Sequence, residues 1–292
     1  MTGEREPFTD AHVHFWDHGV PGLRWRFLEP GFEHPRLRNT QSLDAPAYGP
    51  AELAAEAGAQ RPDRTIHVQC AYAEDPLLEN HFIDGLARRT GSPDAFVAGA
   101  RLRDAAVAEL IERHAAWNRC RGVRDLTVQG SVTPDEVAPA FDAARRHAIS
   151  IELMLPPEHY GVITTLAQRW PDVTIVLGHA GQPAERTATY LGWWAAALAN
   201  LAATTDGVVL KLSAIASSAD PDWTTDSIRP CVTSAIEAFG PERCMLASNW
   251  PIDRLYGTYE RLISAYREII APMSPDERRA VLSGTAARVY GL

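Results

Sequence analysis

Two histidines one residue apart, His12 and His14, stand in the run TDAHVHFWD near the start of the chain. Side chains alternate across a strand, so both project from the same face and can hold one metal ion or one substrate between them. Ten histidines in 292 residues would give such a pair about 0.3 times by chance, so the spacing needs context. That context is a set of polar residues at the ends of later β-branched runs: Tyr72 after the second, Arg101 after the third, Arg124 after the fourth, His179 after the sixth and Asn249 after the eighth. Asp253 follows Asn249 by four residues, and Trp16 and Trp250 flank the first and last of these segments. Three histidines, several arginines and an acid or amide at one mouth suit the binding of an anion and the activation of water.

The elements that must position these residues alternate along the chain. Strand-like runs start near Phe8, Arg64, Phe96, Cys120, Ser150, Thr174, Val208 and Cys244, separated mainly by segments of helical spacing. Two helix starts announce themselves as capping boxes, TPDE from Thr133 and SPDE from Ser274, and Asp104 is expected to cap a third. Eight strands alternating with helices predict a (β/α)8 TIM barrel, one domain over residues 1–292, with chemistry at the C-terminal strand ends. Between His18 and Gly49 a long segment rich in Pro, Gly, Arg and aromatic residues is read as a functional lid. No G-x-G-x-x-G or P-loop follows any strand, which counts against a nucleotide site.

The net charge of -9 and the absence of any basic run exclude a nucleic acid or an anionic membrane as the natural partner. A small-molecule carboxylate substrate is expected instead, and a homo-oligomer is left open. The charged start has no apolar leader core, and the longest apolar stretch, near Tyr190 to Ala203, is too short to span a bilayer, so a cytoplasmic protein is expected. Cys70, Cys120, Cys231 and Cys244 form no C-x-x-C pair and read as small core residues in a reducing compartment.

DAHVHFWD, GVR at Gly122–Arg124, LGHAG at 177–181, KLSA at 211–214, EAFGPERCMLASNWPIDR at 237–254 and the closing GTAARVYGL together resemble the amidohydrolase superfamily. More narrowly the chain is similar to the amidohydrolase-2 branch, which contains sugar-acid lactonases, sulfomuconolactonases and 2-pyrone-4,6-dicarboxylate lactonase. The resemblance implies a distorted barrel and a hydrolase that opens a carboxylate-bearing lactone or a related ester-like bond. It implies His12, His14 and His179 as ligands of one divalent metal, zinc or manganese, in a branch where some members need none. Substrate contacts are expected from Trp16, Tyr72, Arg101, Arg124 and Trp250. At the eighth strand the superfamily usually has an aspartate that accepts the proton of the attacking water; here Asn249 stands in its place. An amide cannot accept a proton near neutral pH, so Asp253 and His179 are the candidate bases. A metal-dependent non-oxidative decarboxylase or hydratase of an unsaturated or aromatic acid is the alternative, and a non-catalytic binding protein is the second.

Overall fold

The computed structural model describes residues 5–34, 37–128, 130–217 and 222–292. Eight parallel strands pair in chain order: β1 Thr9–Val13, β2 Arg64–Val68, β3 Ala95–Gly99, β4 Cys120–Asp125, β5 Ser150–Leu153, β6 Ile175–Leu177, β7 Val208–Leu212 and β8 Cys244–Leu246. Helices α1 Pro50–Ala57, α2 Leu78–Thr90, α3 Val107–Ala115, α4 Pro134–His147, α5 Tyr160–Arg169, α6 Ala188–Thr204, α7 Thr225–Phe239 and α8 Tyr259–Ile270 follow the strands in turn. The chain is thus the α/β TIM barrel that its periodicity predicts.

Alternation within each strand divides the core in two. Ile66, Val68, Ala95, Val97, Val176, Val209, Met245 and Ala247 fill the barrel interior, while neighbours such as Val123, Ile151, Leu177, Leu210 and Leu246 pack outward against the helices. Short helices α9 Pro275–Arg279 and α10 Thr285–Tyr290 end the chain, and Ala286 and Tyr290 join the interior cluster as its floor. Both capping boxes form: Glu136 accepts from Thr133 N at 2.8 Å and Glu277 from Ser274 N at 2.8 Å. Asp104 does not cap α3. A turn that bonds Asp104 N to Arg101 O intervenes, and α3 begins after Ala106 with no side-chain cap. Helix α6 is the most apolar of the set, yet no helix of the described residues is long and apolar enough to cross a membrane.

The seam between β1 and β8 is closed differently from the other seven. One parallel bridge, Val13 with Trp250, is joined by a hydrogen bond from His14 N to Trp250 O at 2.8 Å. The buried Asp10 carboxylate does the rest, accepting from Ser248 N at 2.9 Å and from the Tyr259 hydroxyl of α8 at 2.9 Å. To reach them Asp10 turns outward, and the register of β1 on β2 shifts between Asp10 and Val13. Strict alternation would have aimed Asp10 and His12 the same way; the irregularity separates them and aims the histidines at the mouth.

The long segment after β1 folds over that mouth. Trp16–Asp17 and Ala47–Tyr48 pair antiparallel at its base, and Arg24 and Tyr72 exchange both backbone hydrogen bonds, at 2.9 and 2.7 Å, at its middle.

Candidate functional site

His12 and His14 meet at the mouth with Nε2 to Nε2 at 3.2 Å, both buried. His14 Nδ1 lies 2.8 Å from Val68 O, and a carbonyl only accepts, so Nδ1 carries the hydrogen and the neutral ring leaves its Nε2 as a lone pair. The Nδ1 of His12 has no hydrogen-bond partner and faces Glu152 Oε1 at 3.6 Å. If Nδ1 holds the His12 hydrogen, two Nε2 lone pairs confront each other; if Nε2 holds it, a lone pair confronts a carboxylate. Two neutral rings therefore leave one unfavourable contact in either tautomer, and a positive centre between the two Nε2 atoms would relieve it. A proton is disfavoured, since burial, aided by Lys211 beside His12 and Arg124 beside His14, holds both imidazoles well below their ordinary range. A divalent ion fits: two imidazoles on one tetrahedral zinc place their nitrogens about 3.3 Å apart.

His179 lies across from this pair, its ring centroid 4.9 Å from that of His12, and its Nδ1 is 2.9 Å from the Ser213 hydroxyl. The chain leaves three consecutive strands through left-handed residues: His179 at φ 53°, Ala214 at φ 54° and Asn249 at φ 58°. Such angles are uncommon outside glycine, asparagine and aspartate and collect at functional sites. Asn249 Nδ2 donates to Asp253 Oδ1 at 2.9 Å. Among the described residues the other oxygen of Asp253 has no hydrogen-bond partner, and burial, countered in part by Asn249 and the nearby Ser217 hydroxyl, pushes the carboxyl up to about 7.

Arg124 rises from β4 and is buried, donating from Nε to Gln69 Oε1 at 3.1 Å and from Nη2 to Gln69 O. It forms no ion pair with Glu152, Asp125 or any other described carboxylate within 4 Å. A second group of ligand-type side chains, His67, Cys70 and Glu79, sits behind His14 with its donor atoms within 4.8 Å of one another. Its atoms are already engaged: Glu79 Oε1 accepts from His67 Nε2 and from the backbone N of Cys70 and Ala71, and His67 Nδ1 accepts from Phe15 N. That network fixes the turn after β2 and does not fit a metal.

These residues surround a cavity of about 450 Å³, in the range of small-molecule sites. His14, Gln69, Cys70, Arg124, Met154, His179, Gln182, Ser217 and Asn249 line its floor and walls, and Arg26, Phe27, Phe32, His34 and Leu37 of the covering segment line the roof. Among the described residues no carboxylate lines it.

The amidohydrolase family model matches residues 9–292 of this sequence. The chain belongs to the amidohydrolase family. Relatives of this amidohydrolase include an L-fucono-1,5-lactonase of Burkholderia multivorans, 30% identical over 97% of this chain and 95% of that one. An L-fucono-1,5-lactonase of Burkholderia ambifaria is 26% identical over 96% and 94%. The crystal structure of an amidohydrolase from Burkholderia multivorans with bound zinc superposes with a TM-score of 0.78 at 28% identity, over 98% of this chain and 99% of that chain. This amidohydrolase is accordingly an enzyme of the hydrolase class.

Of the residues singled out from the sequence of the amidohydrolase, His14, His179, Asn249 and Arg124 share the cavity wall, with Tyr72 on the rim, 49% exposed. His12 stands beneath His14, and Asp253 stands behind Asn249. Three residues expected to touch substrate lie elsewhere. Trp16 is buried against Tyr48, ring centroids 5.1 Å apart, and Trp250 is buried with its Nε1 donating to Glu56 at 2.6 Å, so both anchor the covering segment. Arg101 is exposed in an adjoining cleft beyond Gln69 and Arg124. Glu152 as a partner of His12 is not evident from the sequence, nor are Met154 and Gln182 in the cavity wall, whereas Arg26, Phe27 and Phe32 of the roof fall in the segment read as a lid. For Glu152 a signal existed, a charge alternating inward on an otherwise apolar strand.

Proposed function

We propose that this amidohydrolase opens a small sugar-acid lactone that carries a carboxylate, using water whose proton passes through the Ser217 hydroxyl to Asp253. The observation that carries the reading is the cavity lining: Arg26, Arg124, His14, His34 and His179, with no carboxylate among the described residues, in a chain of net charge -9. A buried guanidinium with no carboxylate in direct contact is costly, and an anionic ligand on Arg124 would offset that cost with a planar, two-pronged contact. The lactonase relatives support the bond type.

His12, His14 and His179 would hold a divalent ion, zinc or manganese, whose Lewis acidity would polarise the lactone carbonyl. With the histidines engaged in this way, Asp253 is the remaining group of suitable basicity, since a carboxyl titrating at about 7 is ionised in part at neutral pH and still takes up a proton. Asn249, held by Asp253, and Ser217 line the cavity between that carboxylate and the bound substrate; Asn249 would orient the water, and the Ser217 hydroxyl would take up its proton while giving its own to Asp253. Arg124 holds the carboxylate so that the ester bond lies over the histidines.

The test is a panel of neutral and carboxylate-bearing sugar lactones, followed by proton release, with carbon dioxide measured alongside for the decarboxylase alternative. At least a 100-fold higher kcat/KM on carboxylate-bearing lactones is expected. Equal turnover of neutral lactones, or carbon dioxide from an aromatic acid with no lactone opening, would overturn the reading.

A further inference from the structure

Directly beneath His12 the barrel interior holds an ion pair outside the cavity wall. Glu152 projects inward from β5 and Lys211 from β7, both fully buried, and Lys211 Nζ donates to Glu152 Oε2 at 2.6 Å. The second oxygen, Oε1, faces His12 Nδ1 at 3.6 Å, and neither of these two atoms has a hydrogen-bond partner. Gly178 leaves that oxygen room, because a Cβ there would stand 3.3 Å from it. On its far side Lys211 abuts the ring of Tyr290 in the barrel floor, Nζ 5.4 Å from the centroid.

Stability alone is a poor reason for such a pair, since desolvation cancels much of the attraction and apolar groups of similar volume often serve as well. The arrangement is more informative in its asymmetry. Lys211 occupies one oxygen and keeps the group a charged acceptor, while the other oxygen is turned on a single imidazole nitrogen. A carboxylate only accepts, so the nitrogen facing it is the one that carries the hydrogen.

We infer that Glu152 and Lys211 form a positioning pair that fixes His12 as its Nδ1–H tautomer and so turns a bare Nε2 beside the bare Nε2 of His14. The inference rests on the reading of these two nitrogens as a cation seat and deepens it. Val68 O sets the tautomer of His14, and the pair sets that of His12; without it His12 would donate from Nε2 to His14 and one lone pair would be lost to the ion. Outer partners that orient a metal-binding imidazole are worth about 10- to 100-fold in metal affinity.

The experiment uses the full chain, labelled with 15N in its histidine rings and freed of metal by chelation. Long-range 1H–15N correlation reports which ring nitrogen of His12 is protonated, and competition with a chromophoric chelator reports the affinity for zinc alone. The expected result is Nδ1–H at His12 in the parent chain. In the apolar, similarly sized double variant Glu152→Met with Lys211→Met, the hydrogen moves to Nε2, zinc binds about 10- to 100-fold more weakly, and Tm stays within a few degrees. An Nε2–H tautomer in the parent chain overturns the inference whether or not the variant folds, and so does unchanged zinc affinity in a folded variant. A parent chain that shows Nδ1–H yet binds no zinc removes the cation seat and leaves the positioning pair standing, so the two failures are told apart.

Discussion

Asn249 donates from Nδ2 to Asp253 Oδ1 at 2.9 Å, so the amide in the cavity wall is held by a carboxylate directly behind it. The pair divides what a single strand-end acid would do. Asn249 tolerates the left-handed backbone and, in the proposed reaction, would meet the water, while Asp253 would hold the proton-accepting capacity behind it.

Asp253→Asn keeps the hydrogen bond to Asn249 and removes the base. In the parent enzyme kcat/KM is expected to rise tenfold per pH unit below about 7 and level off above it, following a carboxyl pushed up to about 7 by burial. The variant loses that limb together with about 100-fold or more of activity. Stability moves oppositely. A carboxyl whose folded pKa is raised contributes stability that is full below about pH 4 and lost as pH rises through about 7. Above pH 7 the variant should therefore be more stable than the parent, by at most about 4 kcal/mol, and melt higher, and the gain should vanish near pH 4. A pH–rate profile paired with thermal melts at pH 4 and 8 checks both signs.

Asn249→Asp places a second buried carboxyl against the first. Two such groups in hydrogen-bond contact share one proton, so the pair should titrate with one value pushed above that of Asp253 alone. The activity limb is expected to move to higher pH, and Tm to fall more at pH 8 than at pH 6. Combining the change with Asp253→Asn leaves one carboxyl and one amide again and should restore most of the lost Tm. Melts of the three variants that fall together at both pH values would show that Asn249 and Asp253 do not interact as the geometry requires.

Much of this arrangement is legible in the sequence, because strand ends converge in a barrel whatever the loops do. His12, His14, Arg124, His179 and Asn249 could be placed at one mouth from periodicity and strand count alone. What periodicity could not convey is where it breaks. The register shift between Asp10 and Val13 sends Asp10 to Tyr259 and leaves His12 at the mouth, and nothing local in TDAHV announces it. Glu152 could be read equally as a partner of Arg124, since the two stand opposite one another in the β4–β5 register, yet it pairs with Lys211 two strands away. Aromatic residues beside the histidines were the hardest, because a tryptophan that walls a pocket and one that anchors a lid have the same sequence neighbourhood.

Arg124→Lys keeps a positive charge and loses the fork that binds Gln69 and that, in the proposed reaction, would grip a ligand carboxylate. KM for a carboxylate-bearing lactone is expected to rise about 10- to 100-fold, with a smaller change in kcat, because the lost contact is made in the ground state and the transition state alike. A neutral lactone, if turned over at all, should show nearly the same KM in both proteins. Equal loss on both substrates would mean that Arg124 acts through Gln69 and the loop it holds.

Trp250→Phe separates anchoring from substrate contact. Glu56 accepts from Trp250 Nε1 at 2.6 Å, from Arg254 at 2.9 Å and from the Tyr48 hydroxyl at 3.2 Å, so one carboxylate ties the end of β8 to the base of the segment that roofs the cavity. Tyr48 in turn stacks on Trp16, and Phe27 of the roof meets the edge of Trp16 at 5.9 Å. Phenylalanine fills most of the indole's volume and deletes the donor, while Arg254 and Tyr48 keep Glu56 bonded. A loss of about 1–2 kcal/mol is expected, the scale of one hydrogen bond to a charged group, with KM unchanged within about twofold. Glu56→Gln should lose at least as much stability, because it weakens this contact and removes the ion pair with Arg254 as well. A large rise in KM for Trp250→Phe with no change in Tm would return Trp250 to the substrate pocket, whereas a fall in Tm for both variants with KM unchanged establishes it as the anchor of the roof.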